Sequence, residues 1–523
     1  VNSKCVVRAG RTAALTAAAA LLLPMVSGAA APQSAAPGKV LEEHTIATST
    51  AALADCGPGS LPETGLQGDV PAAERDSGRS IQGYRCNAST LGGFAGRGAG
   101  IVSAAYDHCA YLGTIFPGDL LGPSPGVQVL DVSDPAHPVP TANLTEPAML
   151  AGTWESLKVN EKRKLLVGTG VPAGIGNGLL SVYDIADCAH PRLLNPGPGT
   201  DLQMPLPITS HEGGFSPDGN TYWSSGIAPS VVSAVDLTDP ANPRVIWQGL
   251  IGQSAHGFGI TPDGNRMYLS DNAGGITVLD TSAVQRRDPN PHVPQLAQLT
   301  WTDGMATQHS IPVTYDGTPY LFTPNEGGSG GVKLIDVSED TNPRIVNTIK
   351  LEINLPENQD SAIGSASGGS AFGYESHYCA ADRPTNPTAL ACGWSSSGIR
   401  VFDVSDPFDV REIAYYNPPA MKGRNLERWN SPHAIASVLG IPALSIPAAM
   451  QAQEQGKFDV DEALTTRTGM IAGGDLTTDW CFSPPQWRGT QLWVTCSDNG
   501  FMALQLDNDV YDPPANQKST LGS

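Results

Sequence analysis

Four histidines stand at matching places in a repeated pattern. His211, His256 and His309 each lie six residues before the Pro217, Pro262 or Tyr315 that opens a turn, and His377 takes the same slot ahead of a longer turn. Trp154 and Asp479 hold the equivalent slot in two further units. Imidazoles brought to one point suit Fe, Cu, Zn or Ni, because the neutral ring nitrogen is a borderline ligand that all four accept. Glu155, Glu212, Glu326 and Glu375 are close by in sequence and could orient such ligands by hydrogen bonds. His433, in Asn430-Ser-Pro-His433, sits inside a long insertion and is a candidate lid residue. The same pattern admits two structural readings. The His-to-Asp spacing within a unit is 24 to 27 residues, which a locking His–Asp pair could use. Alternatively each ring is wedged beside Phe215, Phe258 or Ile311, carried along when a unit was duplicated. His108, His137, His190 and His44 read as surface or turn residues. No GxSxG elbow, HExxH, Walker loop or strand-borne GxGxxG is present.

What positions these residues is a repeat. Gly126–Pro138 reads GVQVLDVSDPAHP, and worn copies return at Leu180–Pro191, Val232–Pro243, Gly331–Pro343 and Gly398–Pro407. Partial copies at Gly275–Asp280 and Gly500–Gln505 bring the number to seven. One copy is a short apolar, β-branched run closed by Asp, then a tight Ser/Thr-Asp-Pro turn, then a second extended run. The closing positions are 131, 184, 236, 280, 336, 403 and 505, so four of the six intervals are 44 to 56 residues. A period of about 40–50 residues is one four-stranded propeller blade. The expected fold is all-β: a seven-bladed β-propeller closed by an N-terminal strand. Tyr84–Phe94 is the strand that supplies the outer edge missing after Leu506. Within a unit, His256–Thr261, Arg266–Ser270 and Gly275–Asp280 read as the first three strands, with Pro262-Asp-Gly-Asn265 as the first turn. The long segments Asn195–Ser210, Leu351–Ser376 and Asn417–Asp479 all precede a first strand, so they gather on one face, where function usually sits. The opposite face carries only tight turns.

The segments VLDVSDP, IDVSEDTNP and FDVSDP closely resemble the repeat of the LVIVD family, exported or cell-surface proteins expected to be β-propellers. The resemblance spans about Tyr84 to Leu506. It implies a fold and a location, and no reaction, because that family has no shared activity. The copies at Ile276–Ser282 and Phe501–Leu506 lack the Asp-Pro turn and rest on spacing.

Composition agrees with export. A basic start at Lys4, Arg8 and Arg11, an apolar run over Ala13–Val26 and small residues to Ala31 read as a signal peptide over 1–31. Residues 32–80 read as a loosely ordered lead-in, 81–507 as the propeller with an insertion at about 417–478, and 508–523 as a tail. Ile435–Glu454 has helix-like character. With Cys5 gone, eight cysteines remain, an even number that suits disulfides: Cys379–Cys392 and Cys481–Cys496 from their matching places in two units, then Cys109–Cys188 and Cys56–Cys86. The net charge of −21 argues against nucleic acid and anionic membranes as partners, and no segment is long enough for a membrane span. Calcium between blades is the other metal an acidic exported chain invites. The expectation is a secreted, cell-surface or periplasmic protein, monomeric by default. Two functions follow: a binding protein whose loop-rich face holds a protein, glycan or small molecule, or a metalloenzyme of oxidase or lyase type with a His-lined site on the axis.

Overall fold

A computed structural model describes residues 33–34, 39–43, 49–115, 122, 124–170, 177–196, 205–227, 230–251, 255–327, 330–365, 372–419, 421, 428–433 and 478–513. The expected signal peptide, His44, residues 435–454 and most of the 417–478 insertion lie outside them.

The closing Asp of each repeat explains why the motif recurs. Asp131 Oδ1 accepts the Ser133 backbone N–H at 2.8 Å and the Ser133 hydroxyl at 2.6 Å. Asp236 does the same for Thr238 at 3.0 and 2.6 Å, and Asp336 and Asp403 hold the Ser338 and Ser405 N–H groups, each at 2.9 Å. The carboxylate therefore ends the strand and folds the turn in one step. Ahead of it, strands such as Val127–Asp131, Val231–Asp236 and Ile399–Asp403 are buried along almost their whole length. They pack between neighbouring sheets, which is why the runs are continuously apolar rather than alternating.

Seven such sheets form a seven-bladed β-propeller. The innermost strands, in order, are Ala104–Tyr106, Lys158–Asn160, Glu212–Phe215, Ala255–Ile260, Ile311–Tyr315, Cys379–Ala381 and Gln486–Arg488. A bulge recurs between the third and fourth strands of six blades, adding the local twist that a blade requires.

The ring closes where the sequence places the closure, with one difference. Ala88–Phe94 pairs antiparallel with Gly500–Leu506 and completes the seventh blade. Tyr84–Cys86, expected to be part of the same strand, pairs instead with Arg411–Asn417 of the sixth. The chain changes blade at Asn87, whose φ of 51° lies in the left-handed region that Asn tolerates. Gly92 in the closing strand touches the first blade: a Cβ there would lie 2.3 Å from the Ala136 carbonyl oxygen and 2.5 Å from that of Pro135. Gly92→Ala is thus expected to cost about 1–3 kcal/mol, because both obstacles are backbone. Urea unfolding checks this, and an unchanged midpoint would refute the tight closure.

The lead-in over 32–80 contributes short strands where it is described. Gln33–Ser34, Lys39–Glu43 and Ser49–Thr50 run parallel to the outer strands of the third, fourth and fifth blades. These three strands lie along the rim and satisfy backbone groups that an outer strand leaves open. The lead-in is tied down by the Cys56–Cys86 disulfide. Disulfides also join Cys109 to Cys188, Cys379 to Cys392 and Cys481 to Cys496. Cys379 and Cys392 face each other across the first two strands of the sixth blade. Cys481, expected on a first strand, lies ahead of it and bridges to Ser395. The start of the tail is packed as well: the Tyr511 ring lies 4.7 Å from that of Trp487, and its hydroxyl reaches Asp382 at 3.2 Å.

Candidate axial metal site

Five blades each bring one side chain to the hub, four from at or just ahead of the innermost strand and one from a second strand. Glu155 comes from the second blade, His211 from the third, His256 from the fourth, Glu326 from the fifth and His377 from the sixth. His211 Nε2 lies 3.3 Å from Glu155 Oε2, and His377 Nε2 lies 3.5 Å from Glu155 Oε1. Glu326 Oε2 lies 3.4 Å from His377 Nε2 and 3.6 Å from His256 Nε2. Glu326 arrives on the long strand Thr318–Gly327, at its loop-side end. Three of the four sequence-predicted imidazoles therefore converge. Of the four carboxylates expected to stand behind them, Glu155 and Glu326 are inside the cluster.

Two of the rings are held by backbone. His256 Nδ1 lies 3.0 Å from the Gln308 carbonyl oxygen and His377 Nδ1 lies 3.2 Å from that of Phe482. A carbonyl only accepts, so each Nδ1 carries the proton and each Nε2 is a bare lone pair. Burial, opposed by Glu155, pushes both imidazoles down to about 4, so both are neutral near pH 7. Each Nε2 then faces Glu326 Oε2 without a proton of its own. Neither His377 Nε2 nor Glu326 Oε2 has a hydrogen-bond partner among the described residues. Burial, joined by the neighbouring Glu155, drives the Glu326 carboxyl well above the ordinary carboxylate range. Burial would raise Glu155 too, but His211 and His256 outweigh it and hold that carboxyl below its ordinary value. Glu155 is further fixed by Gln308 Nε2, which donates to Oε2 at 2.7 Å.

The spacing fits a metal ion. Bonds of about 2.1 Å in a tetrahedral arrangement put neighbouring ligand atoms about 3.4 Å apart. The side chains form two overlapping groups, Glu155–His211–His256 and Glu155–Glu326–His377, each with ligand atoms within 4.8 Å of one another, and the four separations above, 3.3 to 3.6 Å, lie near that value. Imidazole nitrogen with carboxylate oxygen, and no thiolate, is a donor set for a divalent first-row metal, and two carboxylates balance its charge.

The remaining predicted residues lie elsewhere. His309 turns away from the cluster and stacks on Tyr378 with ring centroids 4.3 Å apart. An extra strand, Met305–Thr307, pairs with the end of Thr318–Gly327 and puts Gln308 at the hub in its place. Glu212 sits one layer lower: its Oε1 is 3.6 Å from Lys158 Nζ, and burial pushes its carboxyl up to about 8 against the pull of Lys158. Glu375 is pushed up to about 7 by burial, and its Oε2 accepts the Gly373 N–H at 2.7 Å. His433, expected as a lid, is instead a tether. Its Nδ1 reaches Asp498 Oδ2 at 2.8 Å, and the Ser431 hydroxyl takes Asp498 Oδ1 at 2.5 Å. Asp479 beside it accepts the Trp480, Asp498 and Asn499 backbone N–H groups at 2.7, 2.8 and 2.9 Å. With those carboxylate oxygens taken by protein donors, this second cluster reads as a structural lock. His108 stands against Cys188, a half-cystine with no thiolate to offer. His137 and His190 pair with Asp134 and Asp187 in their own turns. Sequence reasoning missed Lys158, Gln308 and Tyr378. The signal was present, since each sits within a few residues of a slot already marked by Trp154, His309 or His377.

No family model matches the chain, and no curated protein matches it. Among solved structures, it is similar to a putative 6-phosphogluconolactonase from Bacteroides fragilis NCTC 9343, at 12% identity, covering 60% of this chain and 83% of that one with a TM-score of 0.41. It is similar also to a periplasmic gluconolactonase of Pseudomonas aeruginosa, at 15% identity, covering 58% and 80% of the two chains with a TM-score of 0.40. Neither likeness bears on chemistry.

Proposed function

We propose that the chain is a metal-dependent enzyme of oxidase or lyase type, holding one divalent transition metal ion on the propeller axis. His211, His256, His377, Glu155 and Glu326 hold the metal; Gln308 and the Gln308 and Phe482 carbonyls orient those ligands. The observation that carries this reading is the meeting of two unprotonated Nε2 atoms at one buried carboxyl oxygen, three lone-pair atoms that a single cation can satisfy at once. The ion supplies Lewis-acid or redox chemistry; the protein supplies a dry, fixed setting for it. The alternative, binding through the loop-rich face, has no comparable support, because those loops fall largely outside the described residues. The LVIVD-type repeat supports export, as do four disulfides suited to an oxidising compartment. No helix among the described residues is long and apolar enough to cross a membrane.

The test is elemental analysis of the native protein after purification without chelator. The expected result is close to one Fe, Cu, Zn or Ni per chain. Protein from metal-replete cells that carries none, and takes up none on dialysis, defeats the reading.

A further inference from the structure

Beneath the axial cluster the hub holds a cavity of about 440 Å³. Its upper end is polar, with Lys158, Glu212, His309 and Tyr378, and its wall is mostly apolar, including Phe215, Phe258, Ile260 and Ile311. It is one side chain away from the cluster. The Tyr378 hydroxyl lies 3.5 Å from Glu155 Oε2, and Glu212 Oε2 lies 4.0 Å from His256 Nδ1. Phe215 and Ile260 end their strands just before the turns that begin at Ser216 and Thr261, and both are half-buried. Pro384, also in the wall, lies in the turn of the sixth blade and is exposed. The mouth is therefore on the face of the tight turns. At the level of the cluster, the side of the hub without imidazoles is filled by Ile101, Val102, Trp480 and Phe482, all buried.

We propose that this cavity is the ligand chamber of the axial site, reached from the tight-turn face, and that it takes a mainly apolar small molecule bearing one hydroxyl group. Its service to the metal rests on the reading given above; its occupancy does not. A volume of this size suits a ligand of drug-like dimensions held by apolar walls and a few fixed polar groups. Those groups define the head. Lys158 is a donor that lines the chamber and also lies 4.7 Å above the Tyr378 ring. His309 Nδ1 and Glu212 Oε2 are buried at the same end, His309 against the Cys379 backbone and Glu212 against the Tyr378 side chain. A hydroxyl accepts from the ammonium while donating to one of those two atoms; an ether does only the first, and a hydrocarbon neither. The ring-lined wall favours an aromatic body.

Titration calorimetry of the full chain with 2-naphthol and with 2-methoxynaphthalene tests this. The native protein is expected to bind 2-naphthol about tenfold more tightly than its ether, the worth of the one hydrogen bond that only the hydroxyl donates. Ile260→Trp at the mouth is expected to weaken 2-naphthol at least tenfold, with an unchanged circular dichroism spectrum as the check on folding. Ala381→Trp, from the opposite wall, repeats the block should the first variant be poorly folded. Lys158→Met is expected to weaken both probes alike and leave the preference for the hydroxyl in place, because the ether also accepts from the ammonium. Binding that neither mouth variant weakens, or equal affinity for the two probes in the native protein, overturns the proposal. A chain that binds 2-naphthol in this manner but carries no metal leaves the chamber standing and removes only the metal.

Discussion

Replacing His256 and His377 together with alanine is expected to lower transition-metal affinity at least a thousandfold while the propeller stays folded. Four-ligand structural zinc sites are worth about 10–16 kcal/mol in apparent binding free energy, so losing two ligands removes several kcal/mol. The fold should tolerate the change. Both rings are neutral, and each gives up one hydrogen bond to a carbonyl. The carbonyl of Gln308 keeps a second partner, the Gly257 N–H at 2.8 Å. His309→Ala is the matched control. It deletes an imidazole from the same sequence slot, but one outside the cluster, and should leave metal affinity unchanged. Competitive titration against a fluorescent chelator reads both, with circular dichroism to confirm the fold. If the double variant holds metal as tightly as the native chain, or if the His309 variant is the one that loses it, the axial cluster is not the site.

That contrast also shows where sequence reasoning reached and where it stopped. The blade count followed from the Asp of each hairpin, because that residue folds the turn and so recurs for a local reason. Closure by the segment Tyr84–Phe94 followed from a missing edge. The rim strands Lys39–Glu43 and Ser49–Thr50 had no such signal. They are short, lie among Ala, Pro and Ser, and pair in parallel with strands more than two hundred residues away. At the hub, the repeat predicted that histidines share a height but not which way each ring turns. His256 is the second residue of its strand, whereas His309 lies two residues ahead of Ile311–Tyr315, after the added strand Met305–Thr307. That shift gives the hub to Gln308. Glu326 was placed behind the ligands because sequence distance from a first strand hides the reach of a ten-residue second strand.

The other large effect lies at the rim. Arg400→Met is expected to destabilise the protein by about 3–5 kcal/mol, the usual cost of leaving buried carboxylates without their cation. Arg400 is fully buried and holds the N-terminal wrap against the sixth blade. Its Nη1 reaches Glu412 Oε1 at 3.1 Å and Glu63 Oε2 at 3.3 Å, its Nη2 pairs with Glu63 Oε1, and its Nε donates to the Ser397 carbonyl at 2.9 Å. The guanidinium also lies 4.5 Å over the Tyr415 ring. Burial raises the Glu412 carboxyl and Arg400 opposes it. Without the cation the folded-state carboxyl rises further, so the folded form retains a proton that the unfolded form releases. Stability of the variant is then greatest below the ordinary carboxylate range and falls as pH rises through the shifted one. The deficit relative to the native chain should be smaller at about pH 5 than at about pH 8. Adding Glu63→Gln and Glu412→Gln to Arg400→Met should recover at least half of the loss, since neutral amides keep the oxygens that Gly68 and Gln67 use at 2.9 Å each. Urea unfolding at the two pH values separates the possibilities. A triple variant no more stable than Arg400→Met would mean that the packing of the guanidinium over Tyr415, and not its charge, holds the wrap in place.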